Sequence, residues 1–471
     1  LTYPNHWSKL NRVTEDPPGR VDEMVTSELA ATPGVPPAPG EEVRPRRGGL
    51  WHHLDFRRLW IGETVSQFGT QITFLALPLV AILVVHASTF EVGLLTALDT
   101  LGFLIVGLPA GAWVDRMRFR SVLIVNDLLR AAALGSIPLA YAFDTLTIGQ
   151  LYVVAVVAGV CTVFFDVAYQ SYLPDLIDRD ALVEGNSKLQ ASESVSQIAG
   201  PGLGGALIQA LSAPYAILID AVSFLWSAAW VGAIQVRPPK PERKPDRHLG
   251  REIKEGISFV VGNRMLRAIA ACTGSSNLFS SMAFAVFYVL LARDLDVSAG
   301  VIGAIMSTSA IGGLVGSLYA NRIAKNLGQG PTIWLSILVS APVGFVAPFV
   351  QKDWTLVLLA AAQVFFWATV VVYNITQVSF RQGLCPPHLL GRMNATMRFM
   401  VWGTMPLGGL LGGVLGQTIG VRETLLISAI GGCLPFLPVF LSPLRTMREL
   451  PSYVPDVPPN ETASPLIESE A

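Results

Sequence analysis

The sequence predicts an all-α membrane protein: twelve transmembrane helices in two six-helix pseudo-repeats. Three observations carry this expectation. Of the 471 residues, 51% are hydrophobic and only 14% charged, against roughly 25% charge in a soluble domain. The apolar residues gather in runs such as "TFLALPLVAILVV" (73–85), "LYVVAVVAGVCTVFF" (151–165) and "TIWLSILVSAPVGFVAPFV" (332–350). Each run lies within a segment of about 20 residues, the length a bilayer requires. One long polar break, 237–266, divides the segments six and six.

Residues 1–49, with "ATPGVPPAPGEEVRPRR", hold too few apolar side chains to order themselves and read as a disordered cytoplasmic tail. A first bundle, 50–236, contains spans at 60–85, 90–114, 121–142, 148–171, 187–210 and 214–236. The linker 237–266 follows. In it Ile253, Ile257, Val260 and Val261 oppose Arg251, Lys254 and Glu255, the pattern of an amphipathic helix on the membrane surface. The second bundle, 267–444, contains spans at 267–292, 299–321, 331–350, 354–378, 393–417 and 422–443. A polar cytoplasmic tail, 445–471, ends the chain.

Basic residues set the orientation. Connections on one side carry only Arg293, Lys352 and Arg422. Those on the other carry Arg116, Arg118, Arg120, Arg179, Lys188, nine within 237–267, Arg322, Lys325, Arg381, Arg392 and Arg398. This asymmetry predicts a multi-pass protein of the cytoplasmic (inner) membrane with both termini inside.

The halves repeat. A shift of 208 residues lays Leu182, Asn186, Leu203, Gly204, Gly205 and Gln209 on Leu390, Asn394, Leu411, Gly412, Gly413 and Gln417. A shift of 207 lays "EVGLLTAL" (91–98) on "SAGVIGAI" (298–305). Parallel six-helix repeats are a transporter architecture, with the substrate site between them near mid-membrane.

"IAGPGLGG" (198–205) falls inside the fifth span. Pro201 removes a backbone donor, and neighbouring helices satisfy the freed carbonyl. Gly200, Gly204 and Gly205 leave a groove for a second helix. A phosphate loop is excluded, because no GxxxxGK[ST] occurs and no soluble nucleotide domain is present. Cys161, Cys272, Cys385 and Cys433 stand far apart with no metal-ligand spacing, and read as free thiols. No nucleophile–base pair or metal constellation appears, so neither an enzyme nor a cofactor or metal site is expected; nor is a nucleic-acid partner.

Two motifs together resemble the major facilitator superfamily. In "GAWVDRMRFR" (111–120), Gly111, Asp115, Arg116 and Arg120 match the superfamily's loop motif between the second and third helices; Arg118 and Phe119 stand where it has Gly-Arg. "GPGLGG", with Gly200, Pro201, Gly204 and Gly205, matches the GPxxGG of its exporters. Longer stretches are similar to the enterobactin-exporter and macrolide-efflux-like branch: "FRRLWIGETVSQFG" (56–69), "FFDVAYQSYLPDLI" (164–177), "GNSKLQASESVSQIAGPGLGG" (185–205) and "GRMNATMRFMVWGTMPLGGLLGG" (391–413). The resemblance covers about residues 50–440. It implies the two-bundle fold, alternating access and export.

An ionisable residue within a span is a functional candidate. Six are assigned to span interiors: Glu63, Asp99, Asp127, Arg130, Asp166 and Asp220, all in the first half. Asp127 and Asp166 are expected to neutralise Arg130, since a buried cation needs a partner. Glu63 reads as a residue near the inner interface. Asp220 reads as a helix cap or vestibule residue. Asp99 has no basic partner in the pattern and is the first candidate for carrying a coupled proton. Asp115 is expected to latch the inner gate against the N-terminal end of the eleventh span.

Uncharged polar residues mark the expected cavity: Gln67, Gln71, Asn277, Tyr373, Asn374 and Gln377. With Phe68, Trp226, Phe284, Phe365 and Trp367 they suit an amphipathic organic molecule better than a sugar or ion. The sequence therefore reads as a proton-coupled exporter of drug-like or siderophore-like compounds, functional as a monomer in the lipid bilayer. The rivals are a proton-coupled importer on the same fold, which GPGLGG disfavours, and a non-transporting receptor or scaffold.

Overall fold

A computed structural model describes residues 50–114, 116–178, 181–236, 249–386 and 389–449. The first half comprises α1 (Leu54–Leu83), α2 (Thr89–Val114), α3 (Phe119–Ala142), α4 (Ile148–Leu176), α5 (Leu182–Leu211) and α6 (Ala213–Gly232). After the linker helix α7 (Leu249–Gly262) come α8 (Arg264–Tyr288), continued by a π-turn Val289–Asp294, then α9 (Ala299–Leu327) and α10 (Gln329–Ser340). α11 (Thr355–Leu384), α12 (Leu390–Trp402), α13 (Met405–Thr418) and α14 (Val421–Gly432) complete the bundle. Expectations for residues 1–49, 237–248 and 450–471, and for Asp115 and Arg179, lie outside the described residues.

Among the described residues, eleven helical segments are long and apolar enough to cross a membrane. The twelfth member of the bundle, α5, carries Glu184, Lys188 and Glu193 in its first half. It nevertheless packs against α1 and α9. Helices run past the apolar runs at the basic end: α4 ends at Leu176, α9 at Leu327 and α11 at Leu384, while α1 begins at Leu54. Hydropathy marks where hydrocarbon stops, whereas a helix keeps its own hydrogen bonds into the headgroup layer.

Prolines break the second half. Pro406 cannot donate to the preceding turn, and the eleventh span divides into α12 and α13. Side chains of α8 bond carbonyls beside the break: Asn277 Nδ2 donates to the Val401 carbonyl (3.1 Å) and Ser281 Oγ to that of Met405 (2.8 Å). Thr404 Oγ1 answers by donating to the Gly274 carbonyl (2.9 Å). The ninth span ends in 3-10 turns at Ala341–Phe345 and Ala347–Phe349, which contain Pro342 and Pro348. The linker helix is docked on α12. Val260 is fully buried in the second-half core, Gly256 lies against Arg392 and Thr396, and Glu255 pairs with Arg392 at 2.7 Å. Part of its apolar face therefore covers protein rather than the membrane surface.

The halves meet through two glycine crossings related by the sequence repeat. Gly205 of α5 lies against Ala299, Gly300 and Gly303 of α9. Gly413 of α13 lies against Phe90 and Gly93 of α2. One residue back, Gly204 and Gly412 face their own halves, on Ile72 of α1 and Met282 of α8. Gln209 Oε1 faces Gly300, and Gln417 Oε1 accepts from the Phe90 amide (3.5 Å). Both crossings lie at the end opposite the basic loops. Arg293 reinforces that end by donating to the Ala87 carbonyl (3.3 Å) and Thr89 Oγ1 (2.7 Å). At the basic end, Gly107 and Gly111 of α2 and Gly391 of α12 have nothing within 4 Å of a Cβ. At the sealed end, opposite the basic loops, glycine backbones of the two halves touch; at the basic end these three glycines face open space.

A methyl at Gly205 or Gly413 would meet backbone of the opposing half. Gly205→Ala and Gly413→Ala should each lower stability by about 1–3 kcal/mol. Gly107→Ala meets open space and should be neutral or stabilise by up to about 1 kcal/mol. Thermal unfolding in detergent checks the contrast; equal melting temperatures for all three would refute the close crossing.

Candidate functional site

Five helices of the first half, α1, α2, α3, α4 and α6, carry the six ionisable candidates, and three of them bring theirs to one depth. At 1.5 Å per residue, Glu63, Asp127, Arg130 and Asp166 lie roughly 12–16 Å from the basic ends of α1, α3 and α4. Arg130 Nη2 pairs with Asp127 Oδ1 at 2.6 Å, one turn apart on α3, and both are buried. The guanidinium also lies over the rings of Phe165 (4.4 Å) and Phe224 (4.1 Å). Two aromatic faces and one carboxylate thus hold a cation away from water.

Asp166 does not complete this pair. Its Oδ2 meets Arg398 Nη2 of α12 at 3.4 Å, across the interface between halves. The side chains are 35% and 36% exposed, so the contact sits on an open wall. Arg398 rests over Trp402 (4.7 Å), whose ring packs edge-on to Phe103 of α2 at 4.5 Å. The expectation that Asp166 neutralises Arg130 is therefore corrected. Asp127 is in contact as an i, i+3 neighbour, and the crossing of α12 gives Asp166 a cation of its own.

Glu63 is buried in the third turn of α1. Gln67 Nε2 donates to its Oε1 (2.7 Å), while its Oε2 has no partner among the described residues. Asp220 caps no helix. It sits in the second turn of α6, 1% exposed, accepts from Ser223 Oγ (3.0 Å), and lies so close to Gly69 of α1 that a Cβ there would strike its carboxylate. Asp99 lies about 15 Å from the sealed end of α2, where its carbonyl abuts Gly159 of α4. Its carboxylate has no hydrogen-bond or ion-pair partner among the described residues.

The loop motif divides. Gly111 has open space and Arg116 is exposed. Arg120 reaches the C-terminus of α6, where Nε donates to the Val231 carbonyl (3.1 Å) and Nη2 to that of Gly232. A cation there complements the helix dipole. Of the helix motif, Gly200 and Gly204 seat Gln71 and Ile72 of α1, and the Pro201 carbonyl faces Gly303.

The neutral residues also divide. Gln67 serves Glu63, and Asn277 serves the α12–α13 break. Tyr373 is buried with its hydroxyl 2.5 Å from Thr273 Oγ1, tying α11 to α8. Gln377 is buried with Oε1 unpaired among the described residues, and Asn374 is exposed. Trp226, Phe365 and Trp367 are exposed as well.

Two charged residues within spans escape the hydropathy reading. Arg398 sits eight residues inside α12 but reads as loop charge; its place within an otherwise apolar span was the available signal. Glu193 lies in α5, where Gln190 and Gln197 donate to it at 3.0 and 3.2 Å. Polar neighbours at 190, 194 and 197 conceal it in the sequence.

Residues 51–468 match the transmembrane secretion effector family. The multidrug efflux pump Tap of Mycolicibacterium fortuitum is 27% identical over 80% of this chain and 93% of its own length. Macrolide efflux protein A of Streptococcus pyogenes is 24% identical over 80% and 92%. Among solved structures, a point mutant of the nucleoside transporter NupG superposes with a TM-score of 0.69 at 12% identity, covering 82% of this chain and 99% of that one. A bacterial homologue of the iron transporter ferroportin, inward-facing, gives 0.67 at 15%, covering 82% and 98%. The likeness to these two structures shows the fold.

The two ion pairs should respond differently to mutation. Asp127→Asn strands a buried guanidinium and should cost about 3–5 kcal/mol of stability. Asp166→Asn breaks a contact open to water and should cost about 0.2–1 kcal/mol. Melting temperatures of both variants decide; an Asp166→Asn loss as large as that of Asp127→Asn would mean Asp166 does carry Arg130.

Proposed function

Because the chain belongs to the transmembrane secretion effector family of the major facilitator superfamily, we propose that it exports small amphipathic, drug-like organic compounds by proton antiport and alternating access. It is a multi-pass membrane transporter, not an enzyme. The efflux pumps it resembles are named for multidrug and macrolide export, and the proposed cargo is of that class.

One observation supports the mechanism above others: the halves cross backbone to backbone at Gly205 and Gly413 at one end, while Gly107 and Gly391 at the other face open space. With the basic loops in the cytoplasm and both termini there, this is a state that loads cargo from inside. Rocking of the halves would part the glycine crossings and close the basic end around Asp115, whose charge would meet the N-terminal end of α12. The pair Asp166–Arg398 spans the moving interface and breaks or reforms in that step.

Proton entry from the sealed side supplies about 2.3 kcal/mol per 100 mV in addition to the pH difference. Asp99, without a cation and nearer the sealed end, takes the proton there. Glu63, Asp127 and Asp166, around the fixed charge of Arg130, form the acceptor network on the basic side, and Asp220 lies between α1 and α6 on the sealed side. The protein acts as a monomer, since each chain holds both halves of the site.

Proteoliposomes loaded with a macrolide test this reading. Acidifying the compartment facing the sealed end should accelerate drug movement into it. Asp99→Asn should insert and bind drug, yet export at a rate independent of the pH gradient. A full pH response in Asp99→Asn, together with its loss in a well-folded Asp166→Asn, would move the coupling site to Asp166.

A further inference from the structure

A groove of about 300 Å³ runs between α1 and α5 at the basic end, away from the interface between halves. Trp60, Thr64 and Phe68 form one wall; Lys188, Ala191 and Val195 form the other; Trp51 closes the lower end. We propose that this groove binds one anionic phospholipid, with its headgroup at Lys188 and Arg57 and an acyl chain lying between Phe68 and Val195.

The groove's facing comes from the helix period. At 100° per residue, Lys188, Ala191 and Val195 form one stripe of α5, and Gln190, Glu193 and Gln197 form another almost directly opposite. The second stripe is the hydrogen-bonded polar set around Glu193. The first is apolar above Lys188, and Val195 is 52% exposed. A polar stripe toward the aqueous interior leaves the Lys188 stripe toward lipid.

Depth and charge select the ligand. Lys188 and Trp60 each lie six residues into their helices, about 9 Å from the basic end, and Val195 and Phe68 about 20 Å. The mouth thus sits at headgroup level and the groove descends into hydrocarbon. The Lys188 ammonium is held 4.2 Å over the Trp51 ring, with the Glu184 carboxylate 3.4 Å away. Glu184 is shared, because it also accepts from the Leu50 amide at 3.2 Å. Arg57 is exposed one turn below Trp60, on the same stripe as Thr64 and Phe68. Two cations at the mouth of an apolar groove complement an amphiphile with a negative head.

Native mass spectrometry of the detergent-purified full chain tests the site, with dioleoylphosphatidylglycerol and dioleoylphosphatidylcholine as probes. The wild type should retain phosphatidylglycerol in preference to phosphatidylcholine. Each of Arg57→Gln and Lys188→Gln should weaken phosphatidylglycerol about five-fold and leave phosphatidylcholine unchanged. Ala191→Trp should fill the groove and abolish the preference; if it does not fold, Val195→Phe replaces it. Inorganic phosphate and dihexanoylphosphatidylglycerol should not displace the long-chain lipid. Equal retention of both lipids, an undiminished preference in the groove-filled variant, or displacement by phosphate alone would each overturn the assignment.

Discussion

A peptide group in lipid has no water to bond, so every backbone donor and acceptor must find its partner inside the protein. That constraint makes the chain helical and also governs where it departs from helix. The break between α12 and α13 occurs where Asn277, Ser281 and Thr404 stand ready to take up backbone carbonyls. Pro201 is tolerated within α5, whose helix runs unbroken from Leu182 to Leu211. Polar side chains in the second half therefore work chiefly as structural partners of backbone.

Charge follows the same logic with a different outcome. The first half concentrates carboxylates and one deeply buried arginine, each held by a neighbour: Asp127 by Arg130, Glu63 by Gln67, Asp220 by Ser223. Asp99 stands apart. The second half sends one arginine, Arg398, across to Asp166. In the proposed cycle, the first half is the proton-responsive body and the second follows through this contact. An ion pair a third exposed suits that use, because its two states differ by little energy.

The sequence repeat has a physical counterpart in the packing of the halves. Gly205 and Gly413 provide close backbone contacts between halves, while Gly204 and Gly412 bind each helix to its own bundle. Adjacent glycines thus separate a contact that must part during rocking from one that must hold. Side chains larger than hydrogen at the first pair would keep the halves from closing, so the motif serves motion as well as packing.

Hydropathy and periodicity are local properties, and what they determine was legible in the sequence: twelve spans, two halves, the basic end, and a small-residue face on the fifth helix. The loop and helix motifs also carried the family. Contacts between remote segments were not legible. The Arg398–Asp166 pair joins residues 232 positions apart, and Arg398 looked like loop charge because hydropathy averages over a window. Asp220 looked like a cap residue because position along a helix does not say which neighbour covers a side chain. That depends on how α1, α3, α6 and α12 cross, and crossing angles follow from the volumes of the side chains at each contact. The sequence alone therefore determined which residues enter the membrane, and the tertiary structure decided which of them meet.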